Sequence, residues 1–174
     1  MTVTAIAART DSPDATRALA AAVAGVSEPG DIVLLAGDLG TGKTAWVQGF
    51  AGGLGVTDQV TSPTFTLVRP HLGSRLQLLH VDLYRLDHLS EVLDLGLLEQ
   101  LDERPRGPGM VGTVACIEWG DLAEPAFPAD FLEVRLELGE DEDERLIRLR
   151  AVGRRWGARM EGLRTALSPW TGGR

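Results

Sequence analysis

The run Gly37-Asp38-Leu39-Gly40-Thr41-Gly42-Lys43-Thr44 constrains this chain more than any other feature. It fits the pattern G-x-x-x-x-G-K-[ST], a glycine-rich loop whose backbone N–H groups cradle phosphates. Such a loop works only between a buried strand and a helix, so it commits its surroundings to an α/β arrangement. Lys43 is also the only lysine in the sequence; every other residue among the 17 Lys and Arg is arginine. A compact ammonium on a flexible stem stands at the one place where a planar guanidinium cannot replace it. The chemistry to look for is that of a nucleoside triphosphate.

The flanks supply the required context. Ile32 to Ala36 (IVLLA) is a continuous apolar run of strand length, the pattern of a strand buried on both faces. Thr44 to Leu54 follows as a helix that closes on Gly52, Gly53 and Gly55. Upstream, Thr2 to Ala7 reads as a short strand, and Ser12-Pro13 starts a helix running to Val26. Downstream, Phe65 to Arg69 and Leu76 to Leu83 form a hairpin, and Glu91 to Leu101 is helical with a break near Gly96. Thr113 to Ile117 is a second buried strand, ending at Glu118. Phe131 to Leu138 and Arg145 to Val152 alternate around an acidic turn and form another hairpin. Arg154 to Leu167 is an amphipathic helix with Trp156, Met160, Leu163 and Leu167 on one face. The expected fold is α/β: a compact P-loop NTPase fold with a central, mostly parallel sheet, antiparallel edge hairpins and flanking helices. Residues 1–153 are expected to form the P-loop ATPase domain. Residues 154–174 are expected to be an Arg-rich helical extension packed on that domain or on its partner.

The loop's glycines let the backbone curl so that successive N–H groups face the phosphates, and the following helix adds its N-terminal dipole. Asp38, Leu39, Gly40, Thr41, Gly42, Lys43, Thr44 and Ala45 are therefore the expected nucleotide-binding residues. Lys43 reaches the β- and γ-phosphates, and the Thr44 hydroxyl ligates Mg²⁺. A magnesium site also needs a carboxylate at the end of a neighbouring strand. Asp82 and Glu118 both follow predicted strands. Either can hold Mg²⁺ directly or through water, or orient the attacking water. Thr61-Ser62-Pro63-Thr64 lies where nucleotide switches carry a hydroxyl that senses the γ-phosphate, and reads equally well as an ordinary Ser-Pro turn. Trp119, beside Glu118, either covers the nucleotide site or is a core or rim aromatic. Cys116 is a small core residue.

Several classes are excluded or disfavoured. The chain has no asparagine, so the guanine-reading motif N-K-x-D is absent, and no D-x-x-G occurs, which favours ATP/ADP over guanine nucleotides. A single cysteine excludes an internal disulfide and fits a reducing, cytoplasmic compartment. Three histidines and one cysteine give no structural zinc spacing. No apolar run reaches the length of a membrane span. The net charge of −8 divides unevenly: residues 1–144 carry −15 and residues 145–174 carry +7. The basic end is either a solvated helix face or a docking surface for an acidic partner or nucleic acid. A body this acidic is not expected to hold nucleic acid unaided.

The motifs together carry a resemblance. GDLGTGKT, then Ser62-Pro63-Thr64-Phe65-Thr66-Leu67-Val68, then His80-Val81-Asp82-Leu83-Tyr84-Arg85-Leu86, then Ile117-Glu118-Trp119 resemble the TsaE family (older name YjeE) in content and order. The resemblance spans residues 10–150, most of the chain. It implies a compact P-loop fold and slow ATP hydrolysis in bacterial tRNA threonylcarbamoyladenosine biosynthesis. The partners it implies are TsaD, the transferase subunit, and TsaB, with tRNA reached only through their complex, which the ATPase resets between turnovers. By position, Thr44 and Glu118 look like the Mg²⁺ ligands and Asp82 like an essential carboxylate near the γ-phosphate. Lys43, Asp82 and Glu118 then form the catalytic set, and Trp119 joins the nucleotide-binding residues. Ser62 to Thr64 looks like the switch, and His80, Tyr84 and Arg85 look close to the partner surface. The terminal Arg154-Arg155-Trp156 helix departs from the family's shortest members. The contrasting reading is an independent P-loop kinase of a small hydroxylated molecule. A third is a nucleotide-binding scaffold that never hydrolyses.

Overall fold

In the computed structural model, residues 4–63, 67–86, 88–102, 105 and 107–172 are described. The apolar run IVLLA forms β2 (Ile32–Ala36), every residue of it buried, and takes a central place in the sheet. On one side of it lies β5 (Thr113–Glu118), then β4 (Gln77–Asp82) and β3 (Val68–His71). On the other side lie β6 (Phe131–Leu138), β7 (Arg145–Val152) and β1 (Thr4–Thr10). The four central strands β6, β2, β5 and β4 run parallel, and both edges are antiparallel. A parallel centre must be covered on both faces, which is why its strands read as unbroken apolar runs.

One face carries α1 (Pro13–Gly25), α2 (Lys43–Gly53), α5 (Arg154–Ala158) and α6 (Met160–Thr171). Trp46 stacks on Phe50 there, with ring centroids 5.1 Å apart. The other face is covered by α3 (Leu89–Asp94), α4 (Leu97–Asp102) and a 3₁₀ turn over Gly120–Ala126, around Leu34, Leu79, Ile117 and Phe131. The Ser12 hydroxyl accepts from the Ala15 N–H at 3.1 Å and caps α1, with Pro13 in its first turn, as the sequence predicts. Helices α1 and α2 cross where Gly49 faces the α1 backbone; a Cβ there would lie 2.1 Å from the Arg17 carbonyl oxygen.

Boundaries differ in instructive places. The first strand runs on to Thr10 because its alternation continues against β7. The strand expected over 65–69 begins at Val68 and extends to His71; Thr64, Phe65 and Thr66 lie outside the described residues. The 3₁₀ turn after Trp119, which contains Pro125, has no counterpart in the sequence reading. The expected terminal helix is two helices, separated at Arg159. That break lets Trp156 and Met160 both enter the core, with Arg159 between them half-buried.

Two arginines of the basic end are tied to the turn before β2, Arg159 half-buried and Arg155 still exposed. Arg159 grips Asp31 through both oxygens, at 2.7 and 2.8 Å, and donates to the Val26 carbonyl at 2.9 Å. Its guanidinium lies over the Trp156 ring, 4.3 Å from the centroid. Arg155 donates to the Pro29 carbonyl at 2.7 Å. Charge that reads as surface is thus spent tying α5 and α6 to the turn before β2. Among the described residues no helix is long and apolar enough to cross a membrane.

Removing one member of a buried, bidentate pair strands the other. Arg159→Ala should lower stability by about 3 kcal/mol, because the buried Asp31 carboxylate loses its bidentate partner and keeps, as counter-charge, only the longer contact to Arg155 at 3.4 Å. Denaturant unfolding of the full chain measures this, and a change within experimental error would show the bracket to be dispensable.

Candidate functional site

The site forms where β2, β4 and β5 end on the same side of the sheet. Beyond Ala36 the chain turns through Gly37 at φ 143, where a Cβ would meet the Leu136 carbonyl oxygen at 2.4 Å and the Thr41 hydroxyl at 2.7 Å. Only glycine fits that corner. The Thr41 hydroxyl closes the loop by donating to the Asp38 carbonyl at 2.8 Å. Gly42, at φ 97, then leads into α2. Leu39 is 82% exposed at the tip, while Thr44 and Ala45 are half-buried in the first turn of the helix.

Lys43 is buried and folds back along the loop. Its ammonium donates to the Gly37 carbonyl at 2.6 Å and the Asp38 carbonyl at 2.9 Å. The Trp119 ring covers it, with Nζ 3.9 Å from the ring centroid, a cation–π contact. Trp119 thus covers the lysine from a partly buried place at the rim of the core. It is the one described non-glycine residue in the left-handed region, at φ 60. A bulky residue there costs of order 1 kcal/mol and is held only where its surroundings insist. Tyr84 packs on the same indole, ring centroids 5.1 Å apart.

Parallel pairing of β4 and β5 puts Asp82 directly beside Glu118. The two carboxylates differ in what holds them. Glu118 is 3% exposed, and one of its oxygens meets His80 Nε2 at 2.8 Å. Asp82 accepts from the Ser62 hydroxyl at 2.9 Å and from the Tyr84 N–H at 3.0 Å. Ser62 is thus wired to a site carboxylate across 20 residues of chain. His80 corrects an expectation: it is fully buried and cannot form part of a partner surface, and its work is to fix Glu118. Tyr84 and Arg85 are exposed, as a contact surface requires. Cys116 is buried, and burial pushes its thiol well up, as befits an inert core residue.

The residues present fit a magnesium ion. Glu118 keeps one oxygen beyond its bond to His80, Asp82 lies beside it, and Thr44 offers a hydroxyl on the first turn of α2. An all-oxygen set with few protein ligands is what Mg²⁺ takes, its remaining positions being filled by water and phosphate. No cluster of three or more His, Cys, Asp or Glu side chains that could cage a metal occurs among the described residues. Sequence reasoning missed Arg145, whose Nε donates to the Thr41 carbonyl of the loop at 3.0 Å, and, for His80, the bond to Glu118 on the next strand.

A glycine loop between a buried strand and a helix, facing acidic strand ends across a mixed seven-stranded sheet, defines an α/β protein with a P-loop NTPase-like fold. The family described as threonylcarbamoyl adenosine biosynthesis protein TsaE matches residues 10–147, and the chain belongs to that family. It is 43% identical over 148 residues to the TsaE protein of Bacillus subtilis, covering 85% of this chain and 87% of that one. It is 35% identical over 145 residues to the TsaE protein of Streptomyces coelicolor, covering 80% and 93%. The crystal structure of Bacillus subtilis YdiB superposes with a TM-score of 0.74 at 34% identity, over 95% of this chain and 97% of that one.

Burial lowers the Lys43 pKa below its ordinary 10.5, while Glu118, Asp82, Asp38 and Asp121 pull it back up. The folded amine therefore gives up its proton before the unfolded one does. Between the two pKa values the native state holds fewer protons, so this residue's contribution to stability rises with pH there. Because the chain has one lysine, its side-chain resonance is unambiguous in NMR. The resonance should titrate below 10.5, and Glu118→Gln should move it lower still. A midpoint unchanged by Glu118→Gln would remove the carboxylate from the lysine's electrostatic surroundings.

Proposed function

We propose that the protein is a Mg²⁺-dependent ATPase of the tRNA threonylcarbamoyladenosine machinery, working in the cytoplasm with TsaD and TsaB and reaching tRNA only through them. The observation that carries this reading is that the Lys43 ammonium, under the Trp119 ring at the mouth of the phosphate loop, lies within the field of the paired strand-end carboxylates Asp82 and Glu118. Family membership supplies the pathway.

The chain's residues divide the work. Loop N–H groups and the α2 N-terminus hold the phosphates of ATP or ADP. Lys43 exchanges two loop carbonyls for phosphate oxygens, a gain in charge complementarity that favours the triphosphate. Thr44 and Glu118 would hold Mg²⁺, which neutralises charge on the β- and γ-phosphates. His80 keeps Glu118 in one orientation. Asp82 is the carboxylate suited to orient an attacking water, and its bond to Ser62 relates the 61–64 segment to γ-phosphate occupancy. Trp119 and Tyr84 shield the lysine from solvent and carry the site's state toward the exposed Tyr84 edge. Turnover by the isolated chain is expected to be slow, since catalysis here rests on positioning and charge neutralisation.

Phosphate release from ATP and Mg²⁺, followed with and without purified TsaB and TsaD, is the test. The pair should stimulate release, and Lys43→Ala should abolish it. Asp82→Asn should reduce stimulated turnover on the order of a hundred-fold while retaining ADP binding. Vigorous phosphate transfer to a small acceptor without partners would identify a kinase instead. Nucleotide binding with no turnover under any condition would identify a scaffold.

A further inference from the structure

Arg145 opens β7, far from every motif in the sequence, yet it touches the phosphate loop. Its Nε donates to the Thr41 carbonyl at 3.0 Å. Its Nη1 donates to the Glu142 carbonyl at 2.7 Å and the Glu144 carbonyl at 2.8 Å. Three donors of one planar group are thus fixed on three carbonyls, a geometry that a lysine cannot reproduce. The turn that carries it is itself braced. The Gly139 N–H donates to the Glu144 carbonyl at 2.9 Å, and the Glu144 carboxylate accepts from the Glu140 N–H at 2.7 Å and pairs with Arg9 at 2.9 Å.

The consequence lies in the next peptide group. The Thr41 carbonyl and the Gly42 N–H belong to one planar trans unit and point in opposite directions. Gly42, at φ 97 and without a side chain, gives that unit freedom to rotate. Whatever holds the carbonyl outward aims the N–H inward. Among the described residues the Gly42 N–H donates to no protein acceptor, while the Gly42 carbonyl already accepts from Trp46 at 2.9 Å to start α2. We propose that Arg145 is a positioning residue of the phosphate loop: from behind, it locks the Thr41–Gly42 peptide so that the Gly42 N–H faces the bound phosphates. Arg145 does not touch the nucleotide; it lowers the cost of ordering the loop around it.

This inference rests on the nucleotide-binding reading, and the experiment separates the two. ADP with Mg²⁺, and adenosine as a phosphate-free control, are titrated into the full-length protein and its Arg145→Ala and Glu144→Gln variants. Wild type should bind ADP. Arg145→Ala should weaken ADP on the order of ten- to hundred-fold, leave adenosine affinity unchanged, and recover when millimolar guanidinium is added. Glu144→Gln, which loosens the turn but leaves Arg145 in place, should bind ADP as wild type does. Should Arg145→Ala prove too unstable to titrate, Arg145→Lys carries the same comparison, since its ammonium cannot span the three carbonyls. Equal ADP affinity in wild type and the Arg145 variant overturns the positioning role, as does an equal loss for ADP and adenosine. Failure of wild type to bind ADP overturns the nucleotide reading, and the positioning role with it.

Discussion

A buried ammonium organises this molecule. Taking a lysine charge out of water costs several kcal/mol unless the protein supplies equivalent partners. Here the partners are two carbonyls of the loop, an indole face, and carboxylates at two strand ends. Only the carbonyls are local to the loop; the rest come from elsewhere in the chain. The carbonyls exist only because Gly37 turns where no side chain fits. The carboxylates arrive through the parallel pairing of β4 with β5, and the indole through a strained residue at the end of β5. The sheet order, the loop and the strain are three solutions to one electrostatic demand.

How much of this was legible in the sequence varied with the range of the interaction. The strand–loop–helix unit is local: an apolar run, spaced glycines and a helix start are contiguous, and they appear where expected. Asp82 and Glu118 were legible as strand ends, but their adjacency depends on a parallel register that no local pattern encodes. The resemblance places His80 close to the partner surface; it is fully buried, and its bond to Glu118 crosses to the next strand, which no local pattern encodes. Arg145 and Arg159 were illegible for the same reason. Each belongs to a basic segment that looks solvated, and each finds its partner in the first quarter of the chain.

The family match ends at residue 147, but the structure does not. Trp156, Met160, Leu163 and Leu167 join the same apolar cluster as Leu19, Val23 and Phe50. The terminal helices therefore cover the face of the sheet that α1 and α2 leave open toward β1. Their arginines hold them there through Asp31 and the Pro29 carbonyl. The segment beyond the family match is thus absorbed into the core of the same domain.

The strand order also sets a timetable. Among the described residues β1 pairs only with β7, so an early strand waits for one made far later in the chain. The loop strand β2 is flanked by β5 and β6, both made much later, so Lys43 meets Glu118 only once β5 exists. At about 5–20 residues per second of synthesis the wait lasts seconds to tens of seconds. During it, two of the most apolar segments, β2 and α1, are without their final cover. Early pairing of α1 with α2, which pack closely and are adjacent in the chain, would shield one face of β2 until β5 and β6 arrive.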